Sequence, residues 1–237
     1  MKSITEGSFW EHLEELRHRL FYVLGVLAGL IIVSFFFSRQ LMALVLSRGP
    51  AELQTLAPTE AFSAHLSLSL LAGILISSPV IFYQFWRFVS PGLREKERKT
   101  ALRAAFVSVL LFLAGAAFAW FLMLEPAINV FKSFETGNIV GHWSLANYIG
   151  FLGRVVIIFG IAFQLPVLVL MLISLGVTTP DLLAKYRRHI VVGLLIAAAI
   201  LTPPDPLTQV MLMLPLYLLF ELSLLTARIG YRKRNAS

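Results

Sequence analysis

A chain of 237 residues that is 58% hydrophobic and 14% charged, with a mean hydropathy of +0.80, departs from soluble domains, which are about half apolar and one quarter charged. At about 20 apolar residues per crossing there is room for roughly five to seven membrane spans, so residues 1–237 are read as a single polytopic membrane domain with no separate soluble part. The net charge of +7 does not indicate nucleic acid, because the basic residues gather at span ends and tails, and the absence of Cys excludes disulfides, thiol nucleophiles and thiolate metal sites.

In chain order, Ser8 to Leu20 carries Phe9, Leu13, Leu16 and Leu20 at helical spacing, with Glu11, Glu15 and His18 on another face. Ser8 and Glu11 have the spacing of a capping box. The segment is expected to lie at the membrane interface as an amphipathic helix before the chain turns into the bilayer. No small-residue cleavage pattern follows the first apolar run, so the N-terminus is expected to be retained. Phe21 to Phe37 is the first span. Leu41 to His65, with Gly49-Pro50 and Pro58, is an external loop of about 25 residues, longer than a connector needs and expected to hold short helices. Leu66 to Val89 is the second span, in which Pro79 removes an amide donor and predicts a kink.

Ala101 to Leu124 is the third span, expected to stop at Glu125-Pro126, and a second external loop runs to about Asn147. Tyr148 to Leu175 is the fourth, interrupted by Gln164 and Pro166. After a basic linker, Asp181 to Arg188, the fifth apolar run from Ile190 to Leu201 is only about 12 residues, or about 18 Å, against a hydrocarbon core of about 30 Å. Pro203-Pro204-Asp205-Pro206 forces a turn, Leu207 to Leu225 returns, and a basic tail runs from Arg228 to Arg234. The expected fold is all-α with six transmembrane helices, the last two forming a short hairpin.

Positive charge sets the orientation. Lys2, Arg17, Arg19, Arg87, Arg94, Lys96, Arg98, Lys99, Arg103, Lys185, Arg187, Arg188, Arg228, Arg232, Lys233 and Arg234 fall on one side of this arrangement, and only Arg39, Arg48, Lys132 and Arg154 on the other. Both termini are therefore expected in the cytoplasm, and the chain in the cytoplasmic membrane.

Carboxylates gather on that same side: Glu14 and Glu15 in the first helix, and Glu95 and Glu97 among the basic residues of the hinge RFVSPGLREKERKTALR at Arg87 to Arg103. One reading is local neutralisation, since Glu15 stands four before Arg19 and Glu14 four before His18, the favoured helical orientation. The other is an acidic pocket for an incoming cation, above all a guanidinium, which a carboxylate holds through two parallel hydrogen bonds.

EHLEELRHRL at Glu11 to Leu20, FVSPGLREKER at Phe88 to Arg98, FQLPV at Phe163 to Val167 and TPPDPLTQ at Thr202 to Gln209 together resemble TatC, the multi-spanning receptor subunit of the twin-arginine protein translocase. The likeness covers nearly the whole chain. It implies a receptor, not an enzyme and without cofactor, that binds twin-arginine signal peptides of folded cargo proteins. With single-span TatA/TatB-type partners, in a hetero-oligomer holding several copies, such a receptor supports export driven by the proton-motive force. By the same resemblance Glu15, Phe88, Glu97 and Arg98 stand where the family places residues implicated in recognition, with Leu16, Arg17, Pro91 and Leu93 around them.

Gln164 stands where the family often carries Glu, which removes a titrating carboxylate but keeps a hydrogen-bonding contact for a partner helix; the alternative is an interhelical bond inside the bundle. Asp205 reads as an N-cap for the sixth helix, while the resemblance links the turn at Pro204, Asp205 and Gln209 to translocation. Met211 and Leu214 read as packing or lipid contacts and, by resemblance, as a docking face for single-span partners. Glu221 is expected to be solvated near the cytoplasmic interface, and Glu125 and Arg154 are placed to pair. A secondary transporter of a small solute is the main alternative, but it calls for paired broken helices, an inverted repeat and a charged midplane site. A membrane-embedded hydrolase needs a nucleophile and base, or a metal pair, and His65, His142 and His189 have no such spacing.

Overall fold

The computed structural model describes residues 4–50, 53–89, 95–135, 143–174, 176–201 and 206–235. Ten α-helices are formed among them: α1 (Ile4–Phe36), α2 (Ser38–Leu46), α3 (Glu60–Val89), α4 (Glu95–Phe118), α5 (Leu124–Ser133), α6 (Leu145–Ala162), α7 (Leu165–Ser174), α8 (Pro180–Lys185), α9 (Arg187–Leu201) and α10 (Pro206–Asn235). Two short strands, β1 (Leu53–Gln54) and β2 (Trp143–Ser144), pair in parallel. Among the described residues, five stretches are long and apolar enough to cross a membrane: Leu13–Phe36, Glu60–Val89, Leu102–Ser133, Leu145–Ser174 and Leu212–Ile229. The protein is an all-α, multi-pass membrane protein.

Three boundaries differ from the sequence expectation. The turn expected near Leu20 is absent, and α1 runs unbroken for 33 residues, about 50 Å at 1.5 Å per residue. No Gly or Pro lies between Ser8 and Leu24, so nothing in the backbone interrupts it. Glu125-Pro126 does not end the third span either. A π-helical turn over Ala119–Met123, in which Leu124 N–H reaches back to Ala119 O, shifts the register so that Pro126 falls in the first turn of α5, where a missing N–H is tolerated. The last helix is longer than its apolar run, because the helix continues through the basic tail to Asn235; α9 remains short at 15 residues.

The contacts divide the chain into two compact units. The first holds residues 1–42 and 65–110. In it α1 and α3 approach closely at Gly73, where a Cβ would lie 2.6 Å from Ile31 Cγ1 and 3.1 Å from the Ile31 backbone, the small-residue contact that membrane helices use in place of hydrophobic collapse. Ser69, Ser77 and Ser78 are buried on α3. Pro79 cannot donate to the Leu75 carbonyl, and the Ser78 hydroxyl donates to that oxygen instead, at 2.7 Å, restoring the lost hydrogen bond within the helix. Trp86 Nε1 donates to Ser108 Oγ at 2.9 Å in a buried bond joining α3 to α4.

The second unit holds residues 43–64 and 111–237. Here α4 meets α6 through reciprocal small residues. A Cβ at Gly115 would press on the Phe159 carbonyl, 2.8 Å from its carbon, and one at Gly160 would lie 2.6 Å from the Phe112 ring. Phe118 stacks between Phe159 and Phe163, with ring centroids 5.4 and 5.6 Å away. The long helix α10 packs on α7, α8 and α9. The β1–β2 pair is held by Glu60, a buried carboxylate at the start of α3. One oxygen accepts from Ser144 Oγ and from Ala146 N at 2.9 Å; the other accepts from the backbone N–H groups of Leu56 and Ala57.

Candidate functional site

The residues singled out by the hinge and first-helix motifs lie in the first unit, on the N-terminal part of α1, the C-terminal end of α3 and the start of α4. Glu15 and Arg19 form the expected i,i+4 ion pair, their side chains 39% and 16% exposed. Arg19 is the more enclosed because its other terminal nitrogen, Nη1, donates to the Gln84 carbonyl on α3 at 3.5 Å. Arg19 thus does two things with one planar fork: it anchors α1 to α3, and it fixes where the Glu15 carboxylate stands. The sequence pointed to the pair but not to the anchor.

Around this pair, Arg17 is exposed and its guanidinium lies 5.7 Å from the centroid of the Phe21 ring, within cation–π range. Leu16, Leu13 and Leu20 are exposed beside Trp10, an apolar stripe on α1 between residues 10 and 20. Phe88 is half-buried near the end of α3. Pro91 and Leu93 lie outside the described residues; Glu97 and Arg98 belong to the first turn of α4, but their side chains lie outside the described residues too. The structure therefore brings together Glu15, Arg19 and the end of α3, and it places the backbone of Glu97 two residues into the helix that follows. Farther along the same pair of helices, α3 and α4 border an apolar groove of about 650 Å³ lined by Pro79, Tyr83, Leu102, Ala105 and Phe106, with Arg103 among its lining residues.

The second candidate region, in the second unit, is organised by interruptions of helices. The chain between α6 and α7 turns at Phe163 and Gln164: Gln164 N–H donates to Ile161 O rather than to Gly160 O, and the Gly160 carbonyl so released accepts from the Gln164 side chain at 3.4 Å. One contact of Gln164 is thus local, back to its own helix, rather than between helices. Gln209 Nε2 donates to Leu195 O at 3.0 Å, tying α10 to α9. Leu214 is 55% exposed. Pro204 and Asp205 lie outside the described residues, as does the side chain of Met211, so the expected N-cap at Asp205 falls outside them as well.

Two other expectations are corrected. Glu221 is not simply solvated: Arg187 Nη2 donates to one of its oxygens and Tyr217 O–H to the other, each at 2.9 Å. An acid within an apolar span is costly unless paired, and the partner lies 34 residues away, which no local spacing reveals. Glu125 and Arg154 do not pair; Arg154 donates to the Gly150 carbonyl of its own helix at 3.1 Å.

Residues 11–215 match the family model described as "Sec-independent protein translocase protein (TatC)". Among similar proteins, the Sec-independent protein translocase protein TatCy of Bacillus subtilis (strain 168) is 36% identical over 99% of this chain and 94% of its own length. TatC of Aquifex aeolicus (strain VF5) is 36% identical over 95% and 96%. Among solved structures, a crystal structure of the twin arginine translocase receptor TatC in DDM superposes with a TM-score of 0.84 at 34% identity, covering 91% of this chain and 99% of that one. The order of the helices, the motifs at both candidate regions and these matches along almost the full length agree: the chain belongs to the TatC family and is a component of the Sec-independent, twin-arginine protein translocase.

Proposed function

We propose that this chain is the receptor subunit of its translocase, without catalytic activity of its own, reading the paired arginines of a signal peptide with the carboxylates of Glu15 and Glu97. The observation that carries this is the Arg19 fork, which ties Glu15 to the end of α3 and so gives one of the two acids a fixed frame relative to the hinge that leads into Glu97. Two adjacent guanidinium groups need anionic oxygens held apart on such a frame. Exposed Arg17, with Arg98 and its basic neighbours in the sequence, limits affinity and orients the acids. Phe88 supplies an aromatic surface against which an arginine stem can pack. The groove between α3 and α4 has the apolar lining suited to the hydrophobic segment that follows the charged region of a signal peptide.

The topology proposed with this reading has six crossings in the cytoplasmic membrane and both termini in the cytoplasm, supported by the distribution of Lys and Arg. The 15 residues of α9, about 22 Å long, form a crossing shorter than the bilayer core. Single-span partner subunits dock along Gln164, Met211 and Leu214, where polar side chains and an exposed α10 face stand near interrupted helices, in an assembly with several copies. Pro204, Asp205 and Gln209, the last within α10, are assigned to the translocation step by the family resemblance.

The test is capture of the purified protein by an immobilised twin-arginine signal peptide against its twin-lysine counterpart. Lysine carries the charge but not the planar fork, so the arginine peptide is expected to retain the protein and the lysine peptide to lose most of it. Equal capture refutes guanidinium recognition.

A further inference from the structure

The corner at which α8 and α9 pack on α10 carries chemistry that receptor function does not use. Arg187 opens α9 and reaches Glu221 on α10 with one terminal nitrogen. Its Nε–H is buried and meets no acceptor among the described residues. Arg228 stands seven residues after Glu221, hence on the same side of α10 and about 10 Å farther along its axis. Its Nε–H is likewise buried without an acceptor among the described residues. Lys185 and Arg188, both exposed, flank Arg187 in the sequence. Of the acids nearby, Glu221 already has both oxygens engaged, by Arg187 and Tyr217, and Asp181 is exposed in the first turn of α8.

A buried N–H of a charged group left without an acceptor is unfavourable; with one on α9 and one on α10, in a corner where cations outnumber acids, an anion with more than one accepting oxygen fits, and the Arg187 side chain, 42% exposed, is open to it. The surroundings indicate what kind. Arg228 lies one residue from the end of the apolar span Leu212–Ile229, the level at which lipid headgroups begin. Beside it, Leu218, Leu222, Leu225 and Ile229 recur at helical spacing and are each more than half exposed, an apolar stripe leading from the cations into the membrane. Basic corners between helix ends at the membrane boundary are sites for acidic headgroups.

We propose that this corner binds one anionic phospholipid, its phosphate accepting from Arg187 and Arg228 and its acyl chains lying along the Leu218 to Ile229 stripe. The proposed orientation decides only which leaflet supplies the lipid, and the site is independent of signal-peptide recognition.

The experiment is native mass spectrometry of the full-length protein in neutral detergent, titrated separately with phosphatidylglycerol, phosphatidylcholine and glycerol 3-phosphate. Phosphatidylglycerol is expected to bind at concentrations about tenfold or more below those needed for phosphatidylcholine, with no retention of glycerol 3-phosphate. Arg228→Gln is expected to weaken phosphatidylglycerol binding about tenfold, while Arg154→Gln, which removes an exposed arginine elsewhere, leaves it unchanged. Arg228→Lys serves if the glutamine variant fails to fold: it keeps the charge, loses the Nε donor, and is expected to bind severalfold more weakly than wild type. Equal binding of the two lipids, wild-type binding by both Arg228 variants, or an equal loss in Arg154→Gln overturns the proposal. Retention of glycerol 3-phosphate as tight as that of the lipid also overturns it, in favour of a soluble anion.

Discussion

Replacing Glu60 by alanine tests how the second unit is held together. Four donors converge on this carboxylate: the Ser144 hydroxyl and the N–H groups of Ala146, Leu56 and Ala57. Ala146 lies in the first turn of α6, where backbone amides have no partner within the helix, and Leu56 and Ala57 precede α3, so Glu60 closes the start of one helix and the approach to another. Ser144 is held at the same time, its oxygen capping Asn147 N–H at 3.3 Å. Each buried amide left without an acceptor costs about 1–3 kcal/mol. The exposed backbone around Leu56 admits water and reduces that cost, leaving an expected loss of about 3–5 kcal/mol for Glu60→Ala. For chains of about 150–250 residues this corresponds to a fall in Tm of about 6–20 °C. Glu60→Gln turns one oxygen into a donor facing other donors and is expected to lose about 2–3 kcal/mol. Thermal unfolding in mild detergent, followed by tryptophan fluorescence, measures both, since Trp143 lies in β2 beside the clasp. A Glu60→Ala protein that melts within a degree of wild type refutes the assignment of the clasp.

Gly115→Val places a side chain against the Phe159 carbonyl and forces α4 from α6; a loss of about 3 kcal/mol is expected, seen in the same melting experiment, and an unchanged Tm contradicts the close approach. Trp86→Phe removes the buried bond to Ser108 and leaves a small cavity where the indole was, and is expected to lower stability by about 2 kcal/mol. Gln164→Leu is expected to reduce co-purification of single-span partners while signal-peptide capture persists; undiminished co-purification rules Gln164 out as a partner contact. Glu97→Ala is expected to abolish signal-peptide crosslinking in a protein that still inserts in the membrane, and wild-type crosslinking in that variant counts against its role.

What could be read from the sequence was local. The five long apolar stretches followed from apolar run length, the Glu15–Arg19 pair from i,i+4 spacing, and the break near Gln164 from a polar residue and Pro166 in an apolar run. Features that depend on distant parts of the chain were not legible. Glu60 stood in the sequence as one scattered loop acid, and its partners Ser144 and Ala146 lie 84 and 86 residues away. Glu221 had its tyrosine partner four residues earlier as an available signal, but Arg187 sits on another helix. Pro126 misled because a proline ends a helix only when its N–H was needed, and the π-helical turn before it changes which amides are needed. The continuity of α1 was obscured by a change in composition at Leu20, where a mixed amphipathic pattern becomes wholly apolar without any change in backbone preference.

The central claim, that the carboxylates of Glu15 and Glu97 read paired guanidinium groups, is tested most directly by binding a twin-arginine signal peptide to the Glu15→Gln/Glu97→Gln double variant beside wild type. Loss of binding, together with loss of any preference over the twin-lysine peptide, is the predicted result. Twin-arginine binding at wild-type strength in a folded, membrane-inserted double variant contradicts the account.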